Sequence, residues 1–232
     1  MRRPVQNDTV QTRLAGEANR WAQSRQESMT IQAIVFDIGG VLEITPDLGV
    51  TPKWEQRLQL TAGELDQRLR DVWRGGSIGT ISEQDVHRSI SEIMGMSTAQ
   101  VDAFMQDIWQ EYLGTLNTEL VEYFRSLCPK YQTAFLCNSF VGAREKEQEL
   151  YHFDELCDFI IYSHEVGMSK PDPRIYALTC ERFGRQPAEV IFLDDREPNV
   201  EAARQFGMHG LLFKNNAQAI ADIQACIQAN AL

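Results

Sequence analysis

The chain has 232 residues, 43% of them hydrophobic and 24% charged, and a formal net charge of -11 at pH 7. That length holds one large core or a core with a smaller inserted domain, and the composition is ordinary for a soluble globular protein. The acidic balance speaks against nucleic acid as a partner, because polyanion binders carry a basic footprint; a phosphate held by local positive charge stays compatible with it.

Residues 1–28 scatter apolar side chains among Arg, Gln, Asn, Ser and Glu without an apolar h-region, so they read as a loose N-terminal extension and not as a secretory signal. Met29 directly precedes the first apolar run, where the folded domain is expected to begin. No stretch approaches the roughly 20 apolar residues that cross a bilayer, so no membrane partner is expected. Cys128, Cys137, Cys157, Cys180 and Cys226 lack Cys-x-x-Cys spacing. They predict free thiols in a reducing cytoplasm, with neither a zinc site nor a disulfide framework.

From Ile31 onward short apolar runs alternate with amphipathic stretches, the pattern of strands joined by crossover helices over a parallel sheet. The runs fall at 33–36, 134–137, 159–162, 190–193 and 210–213. Between the first two lies a span without a convincing strand, too long for a simple crossover. It reads as helices, with Leu65, Leu69, Val72 and Trp73, then Val86, Ile90, Ile93 and Met94, then Val101, Phe104, Met105, Ile108 and Tyr112 at helical spacing. Ser82 and Ser97 stand as N-caps, and Gly75-Gly76 and Gly95 stand where helices should stop. A helical insert is therefore expected at 46–115, with Pro46 and Gly114 near its hinges. The core is expected at 29–45 and 116–232, re-entered through a helix carrying Leu120, Val121, Phe124 and Leu127.

Chemistry concentrates in four short segments, three of them at strand ends. Asp37 closes the first run and is followed by Gly39-Gly40, where glycine lets the backbone turn sharply and aim N–H groups at an anion. Leu136-Cys137-Asn138-Ser139 ends the second run, and Asp194-Asp195 ends the fourth. Two adjacent carboxylates repel unless a cation lies between them and a third acid, which makes Mg²⁺ with Asp37 the natural partner. Lys170-Pro171-Asp172-Pro173 supplies a cation ahead of a helix that Asp172 can cap and Pro173 can start.

In order and context these segments resemble the signature motifs of the haloacid dehalogenase superfamily, mostly magnesium-dependent phosphatases with an aspartate nucleophile. The resemblance spans about residues 31–214. It implies a doubly wound α/β parallel sheet, Rossmann-like, with the helical insert as a small cap. It also implies roles: Asp37 as nucleophile and metal ligand, Gly39 as a ligand through its backbone carbonyl, and Asp194 and Asp195 as metal carboxylates with Asn199 in support. Lys170 becomes the charge clamp on nucleophile and phosphate, and Cys137 and Asn138 line the phosphate edge. Two positions depart from the pattern. The acid usually found two residues after the nucleophile is Gly39, and the usual serine or threonine is Cys137, whose thiol is a weak donor. Since general acid–base help is worth about 10²- to 10⁴-fold, the first departure predicts a slow enzyme, leaving groups of low pKa, or a replacement from the cap.

Other residues have plainer readings. Trp54, Trp73 and Trp109 are expected to pack between cap and core, and His87 and Arg74 to face solvent. Ser163-His164-Glu165 is read as consecutive strand residues pointing to opposite faces, which cannot form a triad. The leading expectation is a magnesium-dependent phosphatase of a small phosphorylated metabolite working through an aspartyl-phosphate. The alternatives are a catalytically weak relative that binds a phosphorylated ligand or a protein, and a metal-free 2-haloacid dehalogenase, which the acid pair opposes. Substrate identity and oligomeric state stay open.

Overall fold

In a computed structural model the described residues are 30–231, so the extension expected at 1–28 lies outside them. Strand β1 (Ala33–Phe36) is apolar throughout and buried on both faces, as a central parallel strand must be. On one side it pairs in parallel with β4 (Gln132–Cys137), which pairs in parallel with β5 (Phe159–Tyr162). On the other it pairs in parallel with β6 (Val190–Asp194), followed by β7 (His209–Leu212). The order β5-β4-β1-β6-β7 is a doubly wound sheet, and the chain reverses its direction of travel at β1. That reversal leaves a crevice at the carboxyl ends of β1, β4 and β6, where such sheets bind ligands.

Helices cover both faces. Leu120, Val121, Phe124 and Leu127 of α5 (Thr118–Leu127) pack on the face presented by Ile34, Phe36 and Phe135, together with Ala219 and Ile223 of α10 (Asn216–Ala229). Ile175, Tyr176, Cys180 and Phe183 of α8 (Pro173–Phe183) pack on the opposite face with Ala203 of α9 (Glu197–Phe206). Asp172 caps α8 by accepting from the Arg174 N–H at 3.0 Å, and Pro173 occupies its first turn, as its sequence predicts.

Four helices follow β1 before the sheet resumes: α1 (Val50–Leu58), α2 (Glu64–Ser77), α3 (Glu83–Met94) and α4 (Thr98–Leu113). Ser82 and Ser97 form capping boxes on α3 and α4, and Gly95 ends α3 in the left-handed conformation. The helices enclose a cluster of their own containing Trp54, Leu69, Ile90, Phe104 and Trp109, which Ala143 from the core joins. Trp54 also donates its indole N–H to Asp107 at 2.6 Å. Arg74 is exposed, and His87 lies 3.5 Å from Asp102 on a partly solvated surface.

Three details differ from the sequence reading. The helical span is bracketed by a two-stranded antiparallel ribbon, β2 (Glu43–Ile44) with β3 (Thr115–Leu116), too short to leave an alternating pattern. Gly114, at φ 54°, permits this ribbon, since a Cβ there would stand 2.2 Å from the Ile44 carbonyl oxygen. Gly75-Gly76 does not stop α2, which runs on to Ser77 with both glycines buried. The pair makes room instead: a Cβ on Gly76 would meet the Phe140 ring at 2.2 Å. Finally, Ser163, His164 and Glu165 lie in a short helix, α7 (Ser163–Val166), not in a strand, and Glu165 pairs with Arg144 at 2.5 Å instead of with the histidine. The third member of a triad is thus committed elsewhere.

Candidate active site

Asp37 emerges where β1 ends. Its N–H donates to the Leu193 carbonyl at 2.9 Å, which ties it to β6, and its Oδ1 accepts from the Ile38 N–H at 2.8 Å. The chain then folds tightly on itself, with the Val41, Leu42 and Glu43 N–H groups converging on the Ile38 carbonyl at 3.2, 2.8 and 2.9 Å. Gly40 makes this possible in two ways. It takes φ +76°, and a Cβ on it would sit 2.5 Å from Asp195 Oδ2. Any side chain there would push Asp195 away.

Asp194 ends β6 fully buried and is held from several directions. It accepts from the Arg196 N–H at 2.8 Å and from Asn199 Nδ2 at 3.0 and 3.1 Å. Lys170 closes the arrangement. Its ammonium is buried and has three acceptors for three protons: Asp37 Oδ1 at 2.7 Å, Asp194 Oδ2 at 2.8 Å and the Leu136 carbonyl at 2.7 Å. Asn138 fixes the lysine backbone reciprocally, donating to its carbonyl at 2.9 Å and accepting from its N–H at 2.8 Å. The four segments named from sequence therefore meet at one sheet edge.

Oxygens of Asp37, Asp194 and Asp195 lie within 4.8 Å of one another, so three carboxylates face a single lysine. The imbalance shows in their proton affinities. Burial pushes Asp37 up to about 8, with Asp194 and Asp195 adding to the push against the pull of Lys170. Asp195 is raised by burial and by Asp194. Lys170 stays charged because the charges of Asp37 and Asp194 outweigh its burial. A set of hard oxygen donors with surplus negative charge fits Mg²⁺, which binds through one or two carboxylates. Gly39 lies on the same turn, and a Cβ on it would meet nothing within 4 Å.

Beside Cys137 at this edge is a second cluster, whose two acids carried no signal in the sequence. Glu43 in β2 and Glu147 in α6 (Ala143–Tyr151) are both buried. Burial and the charge of Glu147 push Glu43 up to about 10, and one of its oxygens has no hydrogen-bond partner. Glu147 accepts from Tyr162 OH at 2.6 Å and from Tyr112 OH at 3.3 Å; burial still raises it to about 7. Tyr112 belongs to α4 and brings its hydroxyl to 4.0 Å from the sulfur of Cys137, itself buried as a thiol whose pKa is driven up by burial. Ser139, beyond Cys137, turns away from this edge: its hydroxyl lies 2.6 Å from His164 Nδ1 and its N–H donates to Ser163.

The geometry just described matches a known class. A model of haloacid dehalogenase-like hydrolases matches residues 31–207, and the chain belongs to that family. It is 23% identical over 199 residues to the D-ribitol-5-phosphate phosphatase of Bacteroides thetaiotaomicron, covering 81% of this chain and 94% of that one. It is 25% identical over 218 residues to bifunctional epoxide hydrolase 2 of Sus scrofa, covering 84% of this chain but only 39% of the relative. Among solved structures, a haloacid dehalogenase family enzyme of Bacteroides thetaiotaomicron, in complex with magnesium and inorganic phosphate, superposes with a TM-score of 0.68. It is 24% identical and covers 79% of this chain and 94% of its own. The L-2-haloacid dehalogenase of Xanthobacter autotrophicus superposes at 0.52, with 21% identity over 77% of this chain and 75% of its own. Among the described residues no helix is long and apolar enough to cross a membrane.

Proposed function

We propose that this chain is a magnesium-dependent phosphatase of small phosphorylated metabolites. One observation carries the reading: three carboxylates from two strand ends lie within 4.8 Å of one another, with a fully buried lysine bonded to two of them. Similarity to a D-ribitol-5-phosphate phosphatase and to an N-acetylmuramic acid 6-phosphate phosphatase supports it.

In this reading Asp37, the Gly39 carbonyl, Asp194 and Asp195 would hold Mg²⁺, which would neutralise charge on the phosphoryl oxygens and favour the ionised form of Asp37. Asp37 attacks phosphorus in line; the P–O bond to the leaving group breaks, the departing oxygen takes its proton from water because residue 39 is a glycine, and an aspartyl-phosphate remains for water to hydrolyse. Lys170 keeps Asp37 pointed at phosphorus and offsets developing charge. Asn138 holds the lysine backbone, and Cys137 and Asn138 line the phosphate edge. The span 46–115, a cap in this reading, closes over the substrate and excludes water.

A purified sample assayed with Mg²⁺ against a panel of metabolite phosphates tests the proposal, with Asp37→Asn alongside. Turnover that disappears in Asp37→Asn is expected; turnover retained there would mean a misassigned nucleophile. Gly39 and the thiol of Cys137 favour one other reading, a weak enzyme that binds a phosphorylated ligand. An absence of turnover with phosphometabolites that raise the melting temperature would favour it.

A further inference from the structure

We propose that Tyr112, carried on the last helix of the inserted span, supplies the anion-binding hydroxyl that Cys137 does not; this rests on the phosphatase reading above. A phosphoryl group in front of Asp37 and Lys170 lies over the carboxyl ends of β1 and β4, and Cys137 is the last residue of β4. Lys170 donates to the carbonyl of the preceding residue, Leu136, at 2.7 Å, which ties the cation to that strand end. The side chain offered there is a buried thiol, a poor donor to an anion. The hydroxyl of Tyr112 stands 4.0 Å from its sulfur.

That hydroxyl is placed but weakly engaged. Its bond to Glu147 Oε1 is long at 3.3 Å, while the other oxygen of Glu147 takes a 2.6 Å bond from Tyr162. Glu147 is thus anchored from β5 without Tyr112. The ring of Tyr112 packs edge-on against Trp109 at 5.3 Å, which holds the phenol in place while its O–H rotates. A proton on Glu147 lets the carboxyl donate to the phenolic oxygen as the phenolic hydrogen turns to the anion. Burial, with Cys137, Glu147 and Glu43 nearby, raises the proton affinity of the Tyr112 hydroxyl, which therefore stays a neutral donor and serves a phosphate better than a bare acid would. Because Tyr112 belongs to α4, the contact also makes phosphate binding depend on where the inserted helices sit. Glu147 and Tyr162 are positioning residues in this scheme.

The test is calorimetric titration of inorganic phosphate in saturating Mg²⁺ into the full chain, Tyr112→Phe, Cys137→Ser and the double variant. Tyr112→Phe keeps the ring and its packing, and its melting temperature is compared with the parent. Losing a hydrogen bond to a charged group is expected to weaken phosphate about tenfold to a hundredfold. In the Cys137→Ser background a new hydroxyl occupies the same place, so the same Tyr112→Phe change is expected to cost under about threefold, a non-additivity that mere packing does not produce. Equal losses in both backgrounds, or phosphate binding unchanged by Tyr112→Phe, would overturn this inference and leave the phosphatase reading standing. Failure of the parent chain to bind phosphate would bring down both.

Discussion

Lys170 concentrates the electrostatics of the candidate site, so replacing it by methionine is the most direct perturbation. Methionine keeps the apolar stem and removes one charge and three donors, leaving Asp37, Asp194 and the Leu136 carbonyl without the partner they meet at 2.7, 2.8 and 2.7 Å. Removing one partner of a buried ion pair costs about 3–5 kcal/mol, because the charge left behind has lost both its counterion and its water. For a chain of this size that corresponds to a melting temperature lower by on the order of 10 °C in metal-free buffer. Mg²⁺ binds the folded state and is expected to raise the melting temperature more in Lys170→Met than in the parent, since it becomes the principal cation among three acids. Differential scanning calorimetry with EDTA and then with Mg²⁺ measures both shifts. A metal-free variant melting within about 1 °C of the parent would refute the reasoning. It would mean that burial of the ammonium already cancels its attraction to the two carboxylates.

Further expectations follow from neighbouring residues. Gly39→Asp meets no steric obstacle, since a Cβ there finds nothing within 4 Å; it should raise kcat on phosphates with poor leaving groups by up to about 10²-fold, and unchanged steady-state kinetics would show that another group already performs proton transfer. Gly40→Ala forces a side chain at φ +76° against Asp195. It should weaken Mg²⁺ binding at least about tenfold, a loss of roughly 1.4 kcal/mol, and unaltered affinity by titration calorimetry would exclude Asp195 from the metal site. The pH dependence has a definite sign. Glu147, Asp37 and Glu43 are raised to about 7, 8 and 10 in the folded chain from 4.5, 3.8 and 4.5, so the folded state binds more protons and stability falls as pH rises. The metal-free melting temperature should therefore decline from pH 5 to 9, less steeply in Glu43→Gln; a rise over that interval contradicts the assignment.

The family and the main residues of the candidate site were legible in the chain because each is tied to a local pattern. Asp37, Asp194 and Asp195 follow apolar runs that read as buried strands, and Lys170 precedes a Pro-Asp-Pro helix start, so a parallel sheet delivers them to one edge whatever its strand order. The acid missing at residue 39 and the thiol at 137 were visible for the same reason: a departure shows only against a fixed position. Glu147 was hidden because Ala143–Tyr151 is mostly charged, and its burial depends on Tyr162 and Tyr112 arriving from other elements. Glu43 was hidden in a two-residue strand whose partner lies beyond the helical insert. The amino-acid order by itself therefore determined the five-stranded sheet, the three longer helices of the inserted span and the acids at the sheet edge, since each depends on neighbours a few residues away. Only the tertiary structure decided which polar groups lose their water, that Gly75-Gly76 admits a ring instead of ending a helix, and that a tyrosine of the insert reaches Cys137. Those outcomes depend on close approach between segments far apart in the chain, which spacing along the sequence does not encode.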